Sequence, residues 1–191
     1  MKKLLLFASG TGSNVENIIQ YFKNNAAIKI VGVFTNNPIA KVLDVAKKNS
    51  ISTIIFSKEE FNGGLILEKI QDLQPDLIVL AGFLWKMPAA LISAYPKKIL
   101  NIHPALLPKY GGKGMYGSLV HKSVITAGEK ESGITIHFVD ELYDHGEIIF
   151  QAKCEVAPND TPETLAQKIH LLEHANYPGV IASVIEKQNR S

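Results

Sequence analysis

The sequence predicts an α/β fold: an open, Rossmann-like, mostly parallel sheet with helices on both faces and an antiparallel ribbon near residues 133–157. Three observations predict it. Short apolar runs alternate with helix-periodic segments through the first two-thirds of the chain, the pattern of crossovers in a parallel sheet. The runs are nearly continuous in apolar residues, as strands covered on both faces are. In "GITIHFVD" and "EIIFQAKCEV" the period then changes to strict alternation, which marks an antiparallel pair.

The buried strands are expected at Leu4–Ala8, Ile28–Phe34, Thr53–Phe56, Leu77–Ala81 and Ile99–Ile102. Between the first two, Val15, Ile18, Ile19 and Phe22 recur at i, i+3, i+4 and i+7, one apolar stripe of a helix. Further helices are expected over Val42–Asn49, Glu59–Leu73, Pro88–Ala94 and Val120–Ala127. The closing helix opens with Thr161 as N-cap, Pro162 at the first helical position and Glu163 in the first turn. A break is expected near Tyr177-Pro178-Gly179, with resumption to Lys187. No repeat or linker interrupts the chain, so one domain is expected over 1–191.

Composition narrows the function classes. A hydrophobic fraction of 46% and a charged fraction of 20% suit a globular protein with a good core. The net charge of +2 argues against nucleic-acid or membrane-surface partners. Cys154 is the single cysteine, so no internal disulfide or cysteine zinc cage is expected, and a cytoplasmic setting fits. The apolar run Leu4–Ala8 is shorter than the core of a signal peptide and reads as a first strand. No run approaches the length of a membrane span.

"ASGTGSNVENII" joins the first strand to the first helix. Gly10 and Gly12 permit close backbone approach, and Ser13 with Glu16 has the spacing of a capping box. Free N–H groups at such a helix start form a ready phosphate site. The dinucleotide fingerprint is half met, because Val15 stands at its third glycine, so a monophosphate is favoured. A plain strand-to-helix turn is the alternative.

The strand expected at Ile99–Ile102 leads into "NIHPALLPKY", which sets Asn101 and His103 two residues apart before Pro104 and Pro108. Ligands of open parallel sheets bind beyond the carboxyl ends of the strands, where this pair, the glycine loop and "AGFLWKMP" are all expected. An asparagine amide can donate to an oxyanion, and histidine can exchange a proton near neutral pH. With a nearby aspartate to support the imidazolium, the set suits acyl transfer through a tetrahedral intermediate, the substrate supplying the nucleophile. No serine or cysteine sits in a nucleophile elbow. A capping or core histidine is the alternative for His103. His170 and His174, at i and i+4, read as a helix face rather than a metal site.

"FASGTGSN", "LAGFLWKMP", "LNIHPALLPKYGG", "GITIHFVDELYDHGEII" and "EHANYP" occur in this order across almost the whole chain. Together they resemble the phosphoribosylglycinamide formyltransferase family, folate-dependent enzymes of purine biosynthesis. The resemblance implies transfer of a formyl group from 10-formyltetrahydrofolate to the amine of glycinamide ribonucleotide, with no metal. It implies that Gly12, Ser13 and Asn14 hold the ribonucleotide phosphate and that Glu173 contacts the ribonucleotide. Asn101 and His103 match the catalytic pair, with His103 as general acid, and Asp144 matches the aspartate supporting the histidine. Leu84, Trp85, Lys86 and Met87, together with Asn101 and the loop Asp140, Glu141, Leu142, Tyr143 and Asp144, match folate-binding elements. Trp85 could instead be an interfacial aromatic, Glu173 a helix-surface charge, and the acidic loop merely solvated.

The chain departs from the pattern at Trp85, where the family often carries arginine, and at Gly63 and Gly64, where a second basic position falls. The folate glutamate tail is then expected to be held differently, with Lys86 a candidate. "KYGGKGMYGSLVHKSV" is longer than usual; Lys113, Met115 and Tyr116 would belong to a lid, with His121 on the following helix. Related 10-formyltetrahydrofolate enzymes, the methionyl-tRNA formyltransferases and the deformylases, would share the Asn/His/Asp set. A sugar-phosphate-binding module would not need it. A monomer or homodimer is expected.

Overall fold

In a computed structural model the described residues are 1–188, so the last three positions of the expected domain lie outside them. The elements in chain order are β1 (Lys2–Phe7), α1 (Ser13–Phe22), β2 (Ile28–Thr35), α2 (Val42–Lys48), β3 (Thr53–Ile55), α3 (Lys58–Asn62), α4 (Leu65–Leu73), β4 (Leu77–Leu80), α5 (Ala89–Ala94), β5 (Ile99–His103), α6 (Ser118–Thr126), β6 (Glu131–Phe138), β7 (Ile148–Glu155) and α7 (Pro162–Gln188). The sheet order is β3-β2-β1-β4-β5-β6-β7. Two compact units divide the chain, residues 1–100 with 183 onward, and residues 101–182.

In the first unit β1 pairs in parallel with β2 on one side and β4 on the other, and β3 pairs in parallel with β2. Leu4, Leu5, Leu6 and Phe7 have no exposed surface, as the continuous apolar run requires. The Phe7 ring lies 5.2 Å from those of Phe34 and Phe83 and 5.9 Å from that of Phe56. Burial of each such ring contributes about 1.5–3 kcal/mol. Val15, Ile18, Ile19 and Phe22 are the buried stripe of α1, at the predicted spacing.

In the second unit β6 and β7 form the antiparallel ribbon, with Ser132 opposite Cys154 and Ile136 opposite Phe150. A bulge follows, placing His137 opposite Ile148. Thr161 caps α7: its Oγ1 accepts the Thr164 backbone N–H at 3.3 Å, and its own N–H donates to Thr164 Oγ1 at 2.9 Å.

Three local expectations are corrected. The helix over Glu59–Leu73 is two helices, because Gly63 ends α3 and Gly64, at φ 95°, starts α4. A capping box does form, but at Ser57 and Glu60 rather than Ser13 and Glu16. Gly12 is the N-cap of α1 with no side-chain cap bond; left-handed at φ 80°, it lets the helix start at Ser13. The break near Tyr177 does not occur: α7 runs through Pro178. Tyr177 and Ile181 are fully buried on either side of the proline, and burial outweighs the lost backbone bond. Among the described residues no helix is long and apolar enough to cross a membrane.

Candidate active site

In the first unit the chain leaves β1 through Ser9, Gly10, Thr11 and Gly12. A Cβ on Gly12 would meet Val42 Cα at 2.8 Å, so the close approach of α2 requires glycine there, as does the left-handed backbone. The Gly12 carbonyl accepts from Glu16 N at 2.8 Å, the first backbone bond of α1. Gly12 and Asn14 are buried and Ser13 half-buried. A helix start of this kind is where backbone N–H groups can receive an anion.

Ser9 ties that loop to the segment after β4. Its N–H donates to Gly82 O at 3.0 Å, and its Oγ accepts from Leu84 N at 3.0 Å. Leu84 is 52% exposed and Met87 is buried. Trp85, half-buried, packs edge-on to Phe56 with ring centroids 6.0 Å apart and lies 6.0 Å from Phe61. The aromatic core therefore fixes the indole and leaves part of its surface open, as suits a flat ring. Lys86 is exposed. Gly63 and Gly64 cap α3 and α4 and bring no charged side chain there.

In the second unit the structure brings Asn101, His103 and Asp144 together. Residues two apart on a strand share a face, so β5 presents Asn101 and His103 side by side. His103 Nε2 lies 2.7 Å from the Tyr110 carbonyl. A carbonyl only accepts, so Nε2 carries a hydrogen and Nδ1 is the nitrogen that gains or loses a proton. Nδ1 lies 3.5 Å from Asp144 Oδ2. Asp144 Oδ2 also accepts from Gly112 N at 3.0 Å. Asn101 Nδ2 donates to His137 Nε2 at 3.2 Å and reaches Asp144 Oδ1 at 3.5 Å.

His137 is the member of the cluster that sequence reasoning missed. Its Nδ1 lies 2.8 Å from Phe138 O and must donate, so Nε2 is the acceptor for Asn101. Nε2 is 3.7 Å from Asp144 Oδ1, beyond hydrogen-bond reach. The bulge at Ile136/His137 aims the ring. A signal was present: Thr135 and His137 put polar groups in phase between Ile134, Ile136 and Phe138. The Tyr110 carbonyl and Gly112 N–H have no side-chain signature to read.

Burial sets the charges. His103 is 3% exposed, and loss of hydration pushes its pKa below the ordinary histidine value. Asp144 and the Tyr110 carbonyl oppose that fall without overcoming it, and His137 adds to it. Burial pushes the Asp144 carboxyl up, but its neighbours, His103 and the Gly112 N–H among them, outweigh it and hold the carboxyl below the usual range. The resting pair is thus a neutral imidazole beside a carboxylate. Its open nitrogen faces the charge that would stabilise an imidazolium.

Around this cluster, Asp140 Oδ1 accepts from Leu142 N at 2.9 Å, turning the loop so that Leu142 and Tyr143 are exposed. Glu141 is exposed. Asp144 ends the loop in a left-handed conformation at φ 54°. His121, on α6, is 7% exposed, and burial followed by the proximity of His103 lowers its pKa. Glu173 lies on α7 with its carboxylate 3.6 Å from His170 Nδ1, and the His170 and His174 rings lie 3.9 Å apart, tilted by 55°.

The sequence profile of formyl transferases matches residues 2–181. The chain belongs to the formyl transferase family. A chloroplastic phosphoribosylglycinamide formyltransferase of Arabidopsis thaliana is 40% identical over 98% of this chain, which spans 66% of that protein. The phosphoribosylglycinamide formyltransferase of Bacillus subtilis is 38% identical over the whole chain and 98% of its own length. The crystal structure of the Bacillus halodurans phosphoribosylglycinamide formyltransferase superimposes with a TM-score of 0.88 at 34% identity, covering 98% of this chain and 97% of that one.

Proposed function

We propose that the chain transfers the formyl group of 10-formyltetrahydrofolate to the amine of 5'-phosphoribosylglycinamide, giving formylglycinamide ribonucleotide and tetrahydrofolate in de novo purine biosynthesis. The observation that carries the chemistry is the bracketing of His103. The Tyr110 carbonyl at 2.7 Å holds Nε2–H, and Asp144 at 3.5 Å faces Nδ1. When the amine attacks the formyl carbon, nitrogen becomes acidic and oxygen becomes negative. Neutral Nδ1 takes the proton the amine sheds, Asp144 stabilises the imidazolium, and the same proton passes to the departing folate nitrogen. His103 thus acts as general acid in the second half. Asn101 serves the oxyanion: its second N–H makes only a 3.5 Å contact with Asp144, which a developing negative oxygen replaces.

The remaining roles follow the family pattern. Gly12, Ser13 and Asn14 receive the ribonucleotide phosphate, and Glu173 contacts the ribonucleotide. Leu84, Trp85, Lys86 and Met87 serve the folate with Asn101 and the Asp140–Asp144 loop, Trp85 offering a ring face where the family often carries arginine. Met87 is buried and acts by packing beneath the segment. The chain functions in the cytoplasm as a monomer or homodimer. The test is absorbance-monitored loss of formyl from a 10-formylfolate donor, with and without the ribonucleotide amine. The proposal expects turnover only when both are present. Formyl release without the amine would indicate a deformylase instead.

A further inference from the structure

His103 is held by a backbone carbonyl, and that carbonyl belongs to a residue under strain. Tyr110 has φ 56°, a left-handed conformation that a non-glycine residue keeps only when its surroundings impose it. The restraint reaches Tyr110 through its side chain. The Tyr110 hydroxyl donates to Glu129 Oε1 at 2.9 Å, and Lys109 Nζ donates to the same oxygen at 2.9 Å. Glu129 is itself anchored by its N–H to Val124 O at 3.3 Å, just beyond α6. Tyr110 and Glu129 therefore join the two ends of the 111–128 segment, which carries the glycine-rich loop and His121.

Packing alone does not hold the ring. A cavity of about 260 Å³ adjoins it, lined in part by Leu107, Lys109, Tyr110, Val124 and Glu129. A tyrosine without its hydroxyl partner has room to swing, and its peptide can then relax from the left-handed conformation. That rotation would move the carbonyl away from His103 Nε2. It would also disturb Gly112 two residues on, whose N–H donates to Asp144.

We propose that Glu129, acting through the Tyr110 hydroxyl, is a positioning residue for His103 and Asp144, a latch at the neck of the 111–128 segment. The inference rests on the reading of His103 as the proton-transfer group. Groups around that imidazole are Asp144, His137, His121 and the Tyr110 carbonyl, so loosening the carbonyl removes one of four influences and leaves the other three.

The test compares E129A, Y110F, E129Q, the Y110F/E129A double variant and H103A in the formyl-transfer assay over a range of pH. Loss of one hydrogen bond predicts kcat lowered about three- to tenfold in E129A and Y110F, with both KM values within about twofold of the parent. The carbonyl bond favours the protonated imidazole, so the acidic limb of kcat/KM should also move to lower pH in both variants. E129Q keeps an acceptor for the hydroxyl and should recover most of the loss. The double variant should be no slower than the worse single one. Thermal melts confirm folding, and either single variant alone suffices if the other fails to fold. Parental kcat and an unmoved acidic limb in E129A or Y110F, with H103A inactive, would overturn the latch alone. An active H103A would overturn the reading beneath it.

Discussion

Asp144→Asn isolates the charge that the mechanism needs. The substitution is nearly isosteric, and asparagine tolerates the left-handed φ of 54° at this position better than most residues. The amide oxygen can still accept from Gly112 N, so the loop keeps its anchor. What disappears is the negative charge 3.5 Å from His103 Nδ1, in a pair whose side chains are 4% and 12% exposed. Opposite unit charges at that distance attract by about 5 kcal/mol at an effective dielectric of ~20 and about 2 kcal/mol at ~40. The loss is felt when the imidazolium forms, so it falls on kcat, by about 10²- to 10³-fold. Steady-state formyl transfer with both substrates varied provides the assay. KM for the ribonucleotide should stay within about threefold, and the melting temperature should barely change. A folded Asp144→Asn enzyme with kcat within threefold of the parent would refute the argument that this carboxylate stabilises a charge made during turnover.

Gly12→Ala should raise the KM for the ribonucleotide about tenfold or more and lower the melting temperature by a few degrees. The methyl meets the Val42 backbone, and the left-handed backbone costs roughly 1–2 kcal/mol; an effect on the folate KM alone would contradict the phosphate assignment. Stability should fall with acid. His103, His121 and His174 all have folded pKa values below the ordinary 6.5, each chiefly through burial. The unfolded chain therefore binds their protons first, and stability present above pH 6.5 is lost as pH falls through that value toward the folded ones. Asp144, also depressed, extends the loss to lower pH. Urea midpoints at pH 7.5 and 5.5 measure this, and equal midpoints would contradict the burial argument.

Much of this was legible because the signals were strong and local. The apolar runs at Leu4 and Leu77 are fully buried strands, the run at Ile28 is buried over its second half, and the alternation after residue 130 is an antiparallel pair. Asn101 and His103 were legible from type and position and Asp144 from the resemblance, and their side chains meet. What was hidden involved competition or backbone. The pattern of Phe61, Ile66 and Ile70 continues across Gly63-Gly64 and concealed two helices behind one. Pro178 signalled a break that the burial of Tyr177 overrides. The groups that hold His103 and Asp144 are a carbonyl and an N–H, and every residue carries those. Only the fold decides which of them are aimed at a catalytic side chain.

The central claim is that His103 Nδ1 carries the proton between amine and folate. The direct test is turnover of purified, folded His103→Ala protein with both substrates saturating. The account predicts a loss of about 10²-fold or more with substrate affinities largely kept. Near-parental turnover would contradict it.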